Sequence, residues 1–124
     1  MTELPLEEIL RALRGLRVPA FPSEHELHQM IAAALEDGDF CVRHEVLLKP
    51  RCRIDFVVNR VGLEVKKGGP ARARITEQAR RYLDCDALGA LILVVGRNVS
   101  MPSNLLGKPV RVLSLNSLWG VALP

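Results

Sequence analysis

The 124-residue sequence predicts an α/β domain in which a mixed central sheet is flanked by helices, with elements in the order α, α, β, β, β, α, β, β. Three observations predict it. Apolar residues recur at helical spacing in two N-terminal stretches. Three β-branched runs, each short enough to be a strand, follow them. A continuous apolar run, Ala90-Leu91-Ile92-Leu93-Val94-Val95, then has the pattern of a strand buried on both faces.

The elements follow in order. Leu6, Ile9, Leu10, Leu13 and Leu16 share a helical stripe, so residues 5–17 are expected to form an amphipathic helix, which Pro19 and Pro22 break. Ser23 can cap a second helix running to about Asp37, and Gly38 ends it; Leu27, Ile31, Ala34 and Leu35 are its core face. Strands are expected at about 40–48, 52–59 and 61–66. Gly68-Gly69-Pro70 separates them from a third helix over about 71–84. The 90–95 strand precedes a loop over 98–108 and a last strand, Val110–Leu115. Trp119 is expected in the core. The chain reads as a single domain over 1–124, with 1–20 as an N-terminal helical extension.

Composition narrows the class. Hydrophobic residues make up 48% and charged residues 25%, as in a soluble globular protein, and no run approaches a membrane span. The acidic Met1–Pro5 segment has no basic region of the secretory kind. Cys41, Cys52 and Cys85 are scattered and odd in number, which fits reduced thiols in a cytoplasmic protein rather than a disulfide framework or zinc site. Charge is uneven. Residues 43–81 hold eleven of the seventeen Lys and Arg but four of the fourteen acids, a balance of +7 against −4 for the rest of the chain. A basic surplus of this kind suits a phosphate backbone.

Asp55 sits inside Ile54-Asp55-Phe56-Val57-Val58, and Glu64-Val65-Lys66 ends the next apolar run. Burying charge is costly, so such residues need partners or a task. Side chains alternate along a strand, which puts Glu64 and Lys66 on one face. A hairpin around Asn59–Gly62 would bring Asp55 to the same place. Two carboxylates suit a hard divalent cation, and a lysine beside them can orient water or stabilise charge on a phosphate.

Asp55 followed by Glu64-x-Lys66 in consecutive strands resembles the PD-(D/E)xK nuclease superfamily, which includes restriction endonucleases, archaeal Holliday-junction resolvases and RecB-type nuclease domains. Arg53-Ile54-Asp55 departs from a literal Pro-Asp pair. The αβββαβ order within the expected elements agrees with the restriction-endonuclease-like core of that superfamily. The resemblance implies a metal-dependent nuclease that hydrolyses DNA phosphodiester bonds. It implies Mg²⁺ or Mn²⁺ held by Asp55, Glu64, a helix acid and the carbonyl of Val65, with Lys66 as a catalytic group. The candidates for the helix acid are Glu24, which is preferred, and Glu26, with neither as the remaining alternative. Glu24 precedes Leu27, Ile31 and Leu35 on the inward stripe, whereas Ser23-x-x-Glu26 fits a capping box. Gln78-x-x-x-Tyr82 resembles the fourth motif of RecB-type nucleases, whose glutamine and tyrosine lie near the site and the DNA.

Arg53, Lys67, Arg72, Arg74, Arg81 and Tyr82 are the candidate nucleic-acid contacts, with Lys67, Arg72 and Arg74 foremost because Gly68-Gly69-Pro70 holds them near the site. His28 lies four residues after Glu24, in reach of the site or simply structural. Glu45 faces either the site or solvent. The chain is short for a separate target-recognition domain, so structure-specific cleavage by a homodimer, or recruitment by a larger complex, is expected over sequence specificity. The alternative is a nucleic-acid-binding module on a nuclease fold without catalysis.

Overall fold

Paired turns set the first half of the sheet. The computed structural model describes residues 4–19, 22–68, 71–96 and 99–115. Strands β1 (Val42–Lys49), β2 (Cys52–Val58) and β3 (Val61–Lys66) form an antiparallel meander. The β2–β3 turn is made by Asn59 and Arg60, with φ of 47° and 72°. Positive φ at both central residues marks the hairpin turn whose twist matches that of the strands. Asn59 secures it, since its side-chain oxygen accepts from the Cys41 N–H at 2.7 Å. At the other end, Pro50 and Arg51 (φ 62°) turn β1 into β2.

Helix α3 (Arg72–Leu83) carries the chain over to β4 (Ala90–Val95), which pairs parallel with β3 from Val61↔Ala90 to Lys66↔Val95. Among the described residues, the short β5 (Asn104–Leu105) and β6 (Lys108–Ser114) complete a mixed open sheet of six strands in the order β1-β2-β3-β4-β6-β5. The region expected as a 98–108 loop therefore contains a hairpin, and the last strand begins at Lys108 rather than Val110. Its turn residues, Leu106 (φ 54°) and Gly107 (φ 78°), both take the left-handed conformation. A leucine rarely does so, which hid the turn.

Helices α1 (Leu6–Arg14) and α2 (Glu24–Asp37) cover one face and α3 the other. Ile9, Leu13, Leu27, Ile31 and Leu35 bury against Phe56, Leu63, Val65, Ile92 and Val94. Ile75, Ala79 and Leu83 bury against Ile54, Leu91, Leu93 and Val95. Alternate residues of β4 thus feed both layers, as its unbroken apolar run requires. α1 stops at Arg14, short of the expected 17, with Gly15 as its C-cap. α2 matches its expected span, and its start carries the reciprocal Ser23–Glu26 capping box. Trp119 lies outside the described residues. Among those residues no helix is long and apolar enough to cross a membrane, and the three cysteines are free.

The β1–β2 ribbon changes faces midway. Residues two apart in a strand ordinarily share a face. Yet Ile54 packs in the α3 layer and Phe56 in the α2 layer. On β1, Val46 and Leu48 pack toward α3, while Val42 packs toward the other layer. The change falls at Glu45 and Asp55, which lie between the ladder pairs His44↔Phe56 and Val46↔Ile54. Glu45 there takes φ 50°.

The far end of β3 is held just as tightly. Gly96 donates its N–H to the carbonyl of Lys66 at 2.9 Å, and a Cβ at Gly96 would collide with the carbonyl of Lys67. Gly96→Ala should therefore destabilise the fold by about 1–3 kcal/mol, the usual cost of overpacking. Gly68→Ala, where an added Cβ meets nothing within 4 Å, should stay within about 0.5 kcal/mol of wild type. Denaturant titration of both variants checks the contrast.

Candidate functional site

The ladder between β2 and β3 runs Val58↔Val61, Val57↔Gly62 and Phe56↔Leu63, and ends there. The next residues on the two strands are Asp55 and Glu64. Instead of pairing backbone to backbone, the strands part and the two side chains enter the gap. Asp55 N–H donates to Glu64 Oε1 at 3.2 Å, and Val65 N–H donates to Asp55 Oδ2 at 2.8 Å. Lys66, on the same face as Glu64, places Nζ 3.0 Å from Glu64 Oε2. These contacts fix both carboxylates from the backbone, which is the kind of support a binding or catalytic group needs.

The parted strands open into a cleft of about 840 Å³ lined by Glu24, Asp55, Glu64, Val65, Lys66 and Lys67. The expected triad and the preferred helix acid thus meet. Glu24 reaches the cleft from the first turn of α2. Glu26 does not line it: its Oε1 accepts from the Ser23 N–H at 3.0 Å, and those capping contacts hold its carboxyl below the ordinary value. Carboxylates are the donors a hard divalent cation takes, but Glu24, Asp55 and Glu64 share only the lining of this cleft; among the described residues the three donors that come within 4.8 Å of one another are those of His28, Glu45 and Asp55.

Burial dominates the electrostatics. Glu64 is 5% exposed, and the loss of water, followed by the nearby Asp55 carboxylate, pushes its pKa up, while Lys66 opposes the shift. Tyr82 is also pushed up, first by burial and then by the Glu64 charge. Its hydroxyl donates to the Arg53 carbonyl at 3.1 Å and accepts from Gln78 Nε2 at 3.0 Å.

The remaining candidates separate. Tyr82 is 2% exposed, so the expectation that it contacts nucleic acid is not met; it braces α3 against β2 instead. Gln78, half-buried, lines a second polar depression with Lys66, Arg74, Glu77 and Arg81, next to the cleft. Arg72 faces elsewhere, in a groove with Ala73, Thr76 and Arg80. Arg53 is exposed and lies 3.7 Å from Glu45. Two residues left open by the sequence, His28 and Glu45, also come to Asp55. His28 Nε2 is 3.7 Å from Asp55 Oδ2, and one donor atom each of His28, Glu45 and Asp55 lie within 4.8 Å of one another. The spacing of His28 four residues after Glu24 was the one sequence signal that put His28 near the site.

The raised Glu64 pKa has a sign. Below the ordinary glutamate value of 4.5 the carboxyl is protonated in folded and unfolded chains alike, and the shift has no effect. Above the raised folded value the buried carboxylate opposes folding. In chelator-treated buffer, the melting temperature of Glu64→Gln relative to wild type should therefore rise as pH climbs from 4 to 7. A flat difference across that range would remove the burial penalty.

Compared with protein-family models, curated proteins and solved structures, the chain matches none, so the reading of this site rests on its own geometry.

Proposed function

We propose that this chain is a divalent-metal-dependent nuclease that hydrolyses DNA phosphodiester bonds, on a restriction-endonuclease-like fold. The observation that carries the proposal is the opening of the β2–β3 ladder, which sets Asp55, Glu64 and Lys66 in one cleft with Glu24. The meander, the crossover helix and the parallel β3–β4 pair support the fold assignment.

Asp55, Glu64 and Glu24 would hold Mg²⁺ or Mn²⁺, with the Val65 carbonyl as a further ligand. When bound, such an ion polarises a phosphate oxygen and makes water more acidic. The protein's own groups supply the rest. The Val65 and Asp55 N–H groups keep the two carboxylates aimed. Lys66 brings a positive charge to the cleft, where it can hold an attacking water or neutralise charge building on the phosphate. Lys67, Arg74 and Arg81 extend positive charge away from the cleft, along the path a DNA backbone would take, with Glu77 as the one acid lining that depression among the described residues. Cleavage by structure, as a homodimer or within a larger complex, is the mode proposed rather than cleavage by sequence.

The test is incubation with labelled junction, flap, duplex and single-stranded DNAs in Mg²⁺, Mn²⁺ or chelator. Cleavage should require the ion, and Asp55→Asn, Glu64→Gln and Lys66→Ala should each abolish it. Glu24→Gln should lower the rate far more than Glu26→Gln, whose cost is a weakened cap of about 1 kcal/mol. Turnover by Asp55→Asn at the wild-type rate would sink the assignment.

DNA affinity should fall with salt. Each phosphate contact adds roughly 0.9 to the slope of log affinity against log salt. Neutralising Arg74 or Arg81 should flatten the slope by about one, and Arg72→Ala, in its separate groove, should change it less. Fluorescence anisotropy over a salt series checks the ranking.

A further inference from the structure

The second cluster at Asp55 is built like a ligand set. Across the three strands of the meander, Glu45, Asp55 and Glu64 stand in one row, because Glu45 lies opposite Asp55 and Glu64 is the next residue past Phe56↔Leu63. Glu64 belongs to the cleft. Glu45 and His28 do not line it. They approach Asp55 from the β1 side and from α2.

His28 carries the second observation. Its Nε2 is buried, although the side chain as a whole is 25% exposed, and it has no hydrogen-bond partner among the described residues. A buried polar atom left unpaired is unfavourable by about 1–3 kcal/mol, so such atoms in folded proteins call for an explanation. The ring is held by tilted packing on Phe56, with centroids 5.7 Å apart, which points Nε2 at Asp55 Oδ2, 3.7 Å away. That separation is too long for a hydrogen bond and suits two donors flanking a common ion. Glu45 supplies the third donor from the point on β1 where the ribbon changes face. Its other neighbour, Arg53 at 3.7 Å, is an exposed pairing of little strength and leaves the carboxylate available.

We infer that His28, Glu45 and Asp55 form a second cation site, sharing Asp55 with the cleft and selective for a first-row transition ion. One imidazole nitrogen with two carboxylates favours Mn²⁺ or Zn²⁺, whereas an all-oxygen set suits Mg²⁺. The site does not depend on the nuclease reading, since it requires only that these three side chains bind an ion.

The experiment is pulsed electron-spin-echo spectroscopy of Mn²⁺ bound to the full chain, which detects a directly coordinated imidazole nitrogen. Nitrogen modulation is expected in wild type and in His25→Gln, and its loss in His28→Gln. Glu45 is exposed, so Glu45→Gln leaves the fold unthreatened. Because even outer partners of a metal ligand are worth about 10–100-fold in affinity, that variant should weaken the nitrogen-coupled ion by at least about tenfold. Glu64→Gln should keep the modulation. Its absence in wild type, or its indifference to Glu45→Gln, would overturn the site. Loss in Glu64→Gln as well would make His28 a ligand of the cleft ion and remove the second site. None of these readouts uses DNA cleavage, so they stand apart from the outcome of the nuclease assay.

Discussion

Two backbone N–H groups lose their ladder partners where β2 and β3 part, and two carboxylates take them up. Buried N–H groups are almost always satisfied, so strands that separate inside a fold must find other acceptors. Asp55 and Glu64 provide them. The same atoms that repair the sheet are thereby immobilised at the mouth of a cleft. Their placement is a condition of the fold rather than an addition to it. The rest of the molecule serves that fork. α2 brings Glu24 to one side, β4 and Gly96 hold the end of β3, and Tyr82 ties α3 to the strand that carries Asp55.

The arrangement carries an electrostatic cost. Glu64 is buried beside Asp55, and the Lys66 ammonium at 3.0 Å offsets that only in part. Charged groups held where water cannot relax around them are typical of binding and catalytic sites, which trade stability for readiness. A divalent ion would relieve the repulsion between the carboxylates, and the basic residues alongside would relieve the charge of a bound phosphate backbone.

Much of this was legible in the sequence because local signals agreed. The Ser23–Glu26 box and Gly38 bounded α2, the alternation of Glu64 and Lys66 put them on one face, and the run at 90–95 gave the central strand. What was not legible depended on backbone and phase. Glu45 could not be assigned a face, because alternation breaks down where the ribbon changes sides. Arg72 and Arg74 were grouped by their nearness to Gly68-Gly69-Pro70. Two residues apart on a helix, however, they point in different directions, and burial of Ile75, Ala79 and Leu83 decided which of them faces the site. The same burial took Tyr82 inside. Its helical face was read correctly as the one shared with Ile75, but that face is the buried one.

The mid-ribbon change of face has a mechanical corollary. Near the Asn59–Arg60 turn, Val42, Phe56 and Val58 pack in the α2 layer, while Val57 faces the α3 layer. Toward the Pro50–Arg51 turn, Val46, Leu48 and Ile54 pack in the α3 layer. One continuous piece of chain thus belongs to both apolar layers. Peeling it from either layer disturbs the pleat that seats it in the other. The two halves of the core are therefore coupled through a shared hinge of sheet, and the domain is built to melt as one cooperative unit rather than as two independently opening layers.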